Sequence, residues 1–114
     1  MVSISKRAHN DLVKYFEGLA KWSVKTQGGH FENHLSLEHA QQLSDNVLDE
    51  CLSVDKRIVH FKARYETHRK YGTYVHTYSP SNRRTKIYII YDINAFGDCI
   101  IKKVTTNYKT ISVS

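Results

Sequence analysis

The chain has 114 residues, of which 40% are hydrophobic and 25% charged, and its formal net charge is +6. This length suits one domain, residues 1–114, with a single core, and the composition argues against disorder. No apolar run approaches the ~18 residues of a membrane span. The N-terminus lacks the apolar stretch of a secretory signal. Because Cys51 and Cys99 fall in apolar patterns, we expect buried free thiols and a cytoplasmic setting.

Two amphipathic helices are predicted in the first half of the chain. The first runs from about Ser5 to Thr26, with apolar residues at helical spacing and a capping serine at its start. The second runs from about Leu37 to Leu52, and Ser36 is its expected N-cap. A pair of glycines separates them, which predicts a loop between two packed helices.

After residue 56 the apolar pattern changes from helical spacing to alternation, which predicts strands. The third predicted strand has a centre that is apolar on both faces, and the last one follows a hairpin turn. The predicted strands are Arg57–Tyr65, Tyr71–Tyr78, Arg84–Ile93 and Cys99–Tyr108, with a short Ile111–Val113 segment as an extension or an edge. We therefore predict an α+β fold in which two N-terminal helices precede a four- to five-stranded, mainly antiparallel sheet.

Positive charge is concentrated in the predicted sheet. Residues 58–114 hold ten Lys and Arg against three acids, whereas residues 1–57 hold seven against eight. Basic strands with Tyr, Thr and His between the charges form a surface suited to phosphate, and exposed tyrosines can stack on unpaired bases. The alternative is that these tyrosines only border the core. The candidate RNA-binding residues are Lys62, Arg64, Arg84, Lys102, Lys103, Lys109 and Tyr78.

Three histidines cluster in the predicted loop and the first turn of the second helix: His30, His34 and His39. A histidine is the usual side chain for proton transfer near neutral pH, and the positive end of a helix dipole at His39 favours the neutral imidazole. Surface histidines without a role are the plainer alternative. The spacing matches no zinc motif, so we expect no metal ion and no other cofactor.

The sheet half supplies the other candidates for catalysis. His60 shares a predicted strand face with Lys62 and Arg64, which is either a phosphate-contacting face or simply a solvated one. Arginines and a lysine at the entry to the third strand can pair phosphate oxygens, although such a basic turn can also serve solubility alone. Hydroxyls near the C-terminus can position a phosphate, but Thr and Tyr are also simply good strand formers. The candidates in these two segments are Arg83, Arg84 and Lys86, and Thr106 and Tyr108.

In its order of elements the chain resembles a superfamily of small metal-independent RNases that groups barnase, EndoU, colicin E5 and colicin D domains and RelE-type toxins. The closest likeness is to phage early-transcript endoribonucleases and small EndoU-type toxin domains. The likeness rests on Ser36-Leu-Glu-His39-Ala40 at a helix start and on Ile-Lys-Lys-Val104-Thr-Thr-Asn-Tyr108 at the last strand. It covers about residues 30–109.

This resemblance implies that a histidine acts as general base on a ribose 2′-OH and leaves a 2′,3′-cyclic phosphate. A second histidine, lysine or arginine would then act as acid or phosphate stabiliser. His39 is the first candidate for the base, His34 the next, and His60 a possible second histidine. In a toxin, an acidic antitoxin or immunity protein would cover the basic face.

The sequence therefore predicts a metal-independent endoribonuclease that cleaves single-stranded RNA, of toxin or phage origin. Two other classes stay open. One is a non-catalytic RNA- or DNA-binding regulator, since charge and aromatic residues explain binding without cleavage. The other is an interaction protein whose basic face meets an acidic protein.

Overall fold

A computed structural model describes residues 1–27, 37–79 and 86–106. Its strands form a single five-stranded sheet, and its helices pack around that sheet. In chain order they are β1 (Val2–Ile4), α1 (Lys6–Gln27), α2 (Leu37–Leu52), β2 (Phe61–Lys62), α3 (Glu66–Arg69), β3 (Tyr74–Tyr78), β4 (Ile87–Ile93) and β5 (Cys99–Thr106). The α+β class predicted from the sequence is confirmed.

The sheet is mixed, with strand order β1-β5-β4-β3-β2. Its β2–β3, β3–β4 and β4–β5 pairs are antiparallel, but β1 lies parallel to β5. The prediction that the helices come first was wrong, because β1 precedes α1. This strand has only three residues, too few for an alternating pattern to reveal, and it is held by its pairing with β5.

The two long helices agree with the sequence. Ser5 caps α1 as predicted, because its Oγ accepts a hydrogen bond from the Ala8 amide at 3.2 Å. The same hydroxyl donates to the Lys102 carbonyl at 3.3 Å, so the cap also joins the helix start to β5. Helix α2 has the bounds that were predicted, and its expected cap, Ser36, lies outside the described residues.

The core lies between one face of the sheet and the helices. It is formed by buried side chains of the sheet, of the first half of α1, and of the second half of α2 with the turn that follows it. They are Ala8, Leu12, Tyr15, Val47, Cys51, Val54, Ile87, Ile89, Tyr91, Cys99, Ile101 and Val104. Both cysteines are buried and free, as predicted. No helix in the described part of the chain is long and apolar enough to cross a bilayer.

The first predicted strand, Arg57–Tyr65, is mostly not a strand. Only β2 pairs within it, and Ala63 continues the contact by donating its amide to the Thr73 carbonyl at 2.8 Å. The chain then forms the short helix α3, which the sequence did not predict because four residues carry no helical period. Strand β3 begins three residues later than predicted, and Lys86 precedes β4 instead of belonging to it. The predicted strand residues 84, 85, 107 and 108 lie outside the described residues.

The hairpin between β4 and β5 is confirmed. Asn94 accepts hydrogen bonds on its side-chain oxygen from the Phe96 and Asp98 amides, at 2.9 and 3.0 Å. Gly97 has φ of 83°, a conformation that glycine adopts without a steric penalty. The turn therefore sets the register of the first pairs, up to Tyr91 and Ile101, and a bulge then shifts the pairing so that Ile90 lies opposite Lys103. The segment Ile111–Val113 lies outside the described residues.

Candidate nucleic-acid interface

The face of the sheet away from the long helices carries aliphatic, polar and aromatic side chains. Cross-strand partners share a face, and here the pairs Val75–Ile90 and Thr77–Tyr88 lie opposite the helical layer. The segment with α3 covers part of this face, since a Cβ on Gly72 would come within 3.0 Å of Ile90 Cγ2. We call this side of the sheet the open face.

A groove of about 490 Å³ runs from the open face around the outer edge of β3. It includes Thr77 from the open face and His76 from the helix-facing side. The residues that line it are Arg57, Phe61, Lys62, Arg64, Tyr65, His68, Val75, His76, Thr77, Lys86 and Tyr88. This lining holds four Lys and Arg and, within the described part of the chain, no carboxylate. Glu50, which borders the groove, lies 3.8 Å from Arg57 and offsets part of its charge. The other three cations leave the groove electropositive and suited to a phosphate backbone.

His68 lies at the inner wall of the groove and is only 9% exposed. Its ring meets the Tyr65 ring edge to face at 5.4 Å and the Tyr88 ring at 4.7 Å between centroids. Burial lowers the pKa of this imidazole below its ordinary value. His68 is therefore neutral at neutral pH and can accept a proton.

Two exposed aromatic rings stand beside the cations of the groove. Phe61 is 65% exposed and Tyr65 is 62% exposed. Stacking of a nucleic-acid base on an exposed aromatic ring contributes favourable binding free energy, because both groups present flat faces. Single-stranded RNA offers unstacked bases, whereas a duplex does not.

A three-residue contact holds the wall of the groove at the β3 edge. His76 Nε2 lies 2.7 Å from Arg57 Nη2 and 2.9 Å from Glu50 Oε1. One ring nitrogen cannot accept from arginine and donate to glutamate at once, so protonation of Nε2 decides which contact is a hydrogen bond. Burial lowers the pKa of His76, Glu50 opposes that shift and Arg57 adds to it. The ring is therefore neutral at neutral pH, and its tautomer decides which of the two contacts is the hydrogen bond.

The structure brings together part of the predicted site. Lys62, Arg64 and Lys86 line the groove. Lys103 and Thr106 line a neighbouring cavity that shares His68 with it. These residues come from separate segments, and the two cavities that they line share the His68 imidazole.

Other predicted residues lie elsewhere. His60 faces the helices, where its Nδ1 lies 2.6 Å from the hydroxyl of the buried Tyr91. Tyr78 is on the same side and packs against the core, so its role as an RNA-binding residue is not supported by its position. Lys102 lines neither the groove nor the neighbouring cavity. For Tyr78 the reason is register, because its partner in β4, Ile87, faces the helical layer. His60 precedes the paired residues of β2, and its ring contact with Tyr91 places it on that side.

His39 lies in the first turn of α2, twelve residues before Cys51 in the core. At ~1.5 Å of rise per residue, its backbone is about 18 Å along the helix axis from Cys51. The groove meets the opposite end of α2, where Glu50 contacts His76. Several other predicted residues lie outside the described residues: His30, His34, Arg83, Arg84, Tyr108 and Lys109.

Sequence reasoning missed the centre of the groove. Neither His68 nor the pair Arg57 and His76 stood out, because each is isolated within its own segment. One signal was available: the centre of β4 is apolar on both faces, so something other than the long helices must cover its second face. The α3 segment is that cover, and it carries His68.

Comparisons with known proteins give no relative: no family model, no curated protein and no solved structure matches this chain. Among the described residues, no three His, Cys, Asp or Glu side chains group closely enough to hold a metal ion.

Proposed function

We propose that this protein is a cytoplasm-acting endoribonuclease that cleaves single-stranded RNA without a metal ion. One observation carries the proposal: a buried histidine with a lowered pKa lies in a groove lined by four cationic side chains and no described carboxylate. A neutral base beside fixed positive charge is what 2′-OH attack on a phosphodiester requires.

In this mechanism His68 takes the proton of a ribose 2′-OH. The 2′-oxygen forms a bond to phosphorus, the bond from phosphorus to the 5′-oxygen breaks, and the products are a 2′,3′-cyclic phosphate and a 5′-hydroxyl. The 5′-oxygen receives its proton from a second group in the groove or from water. Arg57, Arg64 and Lys86 line the same groove as His68, and their charges stabilise the negative charge that develops on the phosphate.

The exposed rings of Phe61 and Tyr65 support a single-stranded substrate. They border the same groove as His68, so bases that flank the scissile phosphate can stack there. A duplex would keep its bases in the helix and lose these contacts.

The deciding experiment incubates the protein with end-labelled single-stranded RNA in EDTA and analyses the ends. We expect cleavage with cyclic-phosphate ends, and a duplex of the same sequence should be cut more slowly. Abolition of cleavage by EDTA would contradict the metal-free mechanism. The same assay compares His68→Ala with His39→Ala, because the sequence made His39 the first candidate for the base. If the folded His39→Ala protein lost all activity while His68→Ala stayed active, the base would be His39 and not His68.

A non-catalytic RNA-binding protein is the second candidate. The combination of exposed aromatic rings with Lys62 and Arg64 favours it, since these groups suffice for binding. Salt-sensitive RNA binding without any cleavage would favour this candidate. Weak binding to RNA and DNA alike at low salt would favour an acidic protein partner for the same face.

A further inference from the structure

A second cavity, of about 300 Å³, lies on the other side of His68 from the groove. It is lined by ammonium and hydroxyl groups together with one tyrosine ring. The lining residues are Thr67, His68, Lys70, Tyr71, Lys103, Thr105 and Thr106. Because His68 lines both cavities, the two lie next to each other across one imidazole.

Three cations surround the tyrosine ring of this cavity. The guanidinium of Arg7 and the ammonium groups of Lys70 and Lys103 each lie 5.3 Å from the Tyr71 centroid. Because all three charged groups lie 5.3 Å from the same point, any two of them are at most twice 5.3 Å apart. Cation–π attraction draws each cation to the ring, but three like charges on one ring also repel each other.

Only part of this charge is neutralised within the protein. Asp11 accepts from Lys103 Nζ at 3.0 Å, and its other oxygen accepts from the Val104 amide, also at 3.0 Å. Among the ion pairs of the described residues, none involves Arg7 or Lys70. The cluster therefore has an excess of positive charge beside three threonines.

We propose that this cavity is a second phosphate subsite. Ammonium, guanidinium and hydroxyl donors are the groups that bind phosphate oxygens. A phosphate here would offset the repulsion among the three cations. The extension of this subsite to RNA rests on the proposed function. In that case the RNA strand crosses His68 with one phosphate in the groove and another in this cavity.

The first test titrates the protein with inorganic phosphate and follows the amide signals of Thr67, Thr105 and Thr106 by NMR. We expect saturable shifts at these residues. Lys70→Gln should weaken binding by about fivefold or more, because it removes one charge from the lining of the cavity. The matched control is Lys102→Gln, a lysine of the same strand that lines neither cavity, and it should leave the affinity unchanged. Shifts that do not saturate, or equal affinity in all variants, would overturn the subsite. Lys103 is left intact because it holds Asp11.

The second test uses 2′-O-methyl oligonucleotides, which cannot be cleaved. A trinucleotide with two phosphodiesters should bind more tightly than a dinucleotide with one, and Lys70→Gln should remove that gain. If phosphate saturates the cavity but the second phosphodiester adds no affinity, the path of the RNA is refuted. Failure of cleavage in the wild-type protein would count against the nuclease proposal alone, because neither titration depends on catalysis.

Discussion

The two faces of the sheet are built from the same strands and have opposite chemistry. Toward the long helices, Ile87, Ile89 and Tyr91 are fully buried in the core. On the open face, Tyr88 and Thr77 border a cationic groove that the α3 segment only partly covers. Alternation of side chains along β3 and β4 separates the two environments by a single residue.

This difference teaches where function can reside in so small a domain. The helix-facing side is filled by packed core side chains. On this side His60 contacts the hydroxyl of a core tyrosine, Tyr91. The open face is covered by a short segment that leaves cations and rings accessible. His68 is on that segment, so its imidazole is nearly buried and still lines both cavities.

The largest effect is expected on the rate of RNA cleavage, when a histidine of each face is replaced by glutamine in turn. His68→Gln should lower the RNA cleavage rate by roughly 10²–10⁴-fold, the usual contribution of a general base. His60→Gln is the matched control and should change the rate by less than about tenfold, since its ring faces the helices. Rates come from initial cleavage of labelled RNA, with thermal unfolding to verify the fold. An equal loss in both variants would break the distinction between the faces.

A second comparison concerns stability. Ile89→Ala on the helix-facing side should reduce the free energy of unfolding by about 2–5 kcal/mol, because it leaves a cavity in the core. Phe61→Ala beside the groove should change it by less than about 0.5 kcal/mol. For RNA affinity the order of the two variants should be reversed. Phe61→Ala should weaken binding by about 1–3 kcal/mol, because a stacking contact is lost. Urea unfolding and fluorescence anisotropy measure the two quantities. An RNA affinity untouched by Phe61→Ala would remove this ring from the interface.

A smaller effect is expected in the salt dependence of RNA binding. The logarithm of the binding constant falls with the logarithm of salt concentration, by about 0.7 per phosphate neutralised on a single strand. Lys62→Gln should reduce that slope by about this amount, because Lys62 lines the groove. Lys14→Gln, on the exposed side of α1, removes the same charge and should leave the slope unchanged. Equal slopes for the two variants would show that only net charge matters.

The smallest effect is on the pH dependence of folding. Burial lowers the pKa of both His68 and His76 below the ordinary value of 6.5. The unfolded chain then binds more protons than the folded chain below that pH, so the free energy of unfolding should fall as the pH falls from 6.5 through the folded-state pKa values. Above 6.5 the contribution is fully present.

His76→Gln tests this dependence at the groove edge. The variant should flatten the decline in the unfolding free energy below pH 6.5, and the His68→Gln/His76→Gln double variant should flatten it further. Chemical unfolding at a series of pH values gives the slope directly. A slope that does not respond to either substitution would mean that other groups set the acid sensitivity.

Much of the fold could be predicted because its patterns are long. Helix α2 was predicted with its correct bounds, α1 within a residue, and the strongly apolar β4 as the centre of the sheet. The misses were short elements: β1 and α3 have too few residues for a period, and β2 forms only two pairs. Such elements are determined by tertiary contacts, as the pairing of β1 with β5 shows.

The site was predicted less well, for a related reason. Lys62, Arg64 and Lys86 were recognised because charge is visible in a sequence. The histidines were judged by their clustering, which drew attention to His39, although α2 carries that residue about 18 Å along its axis from the core end. An isolated histidine such as His68 carries no local signal.

The sequence by itself determined the α+β class, the two long helices and the basic character of the second half, since periodicity and net charge are properties of the chain. Only the tertiary structure decided which basic residues meet and which histidine joins them. The parallel strand β1, the register of β3 and β4 and the return of α3 over the open face bring distant residues together. Contacts of this kind depend on how the elements pack, and a single sequence does not record them.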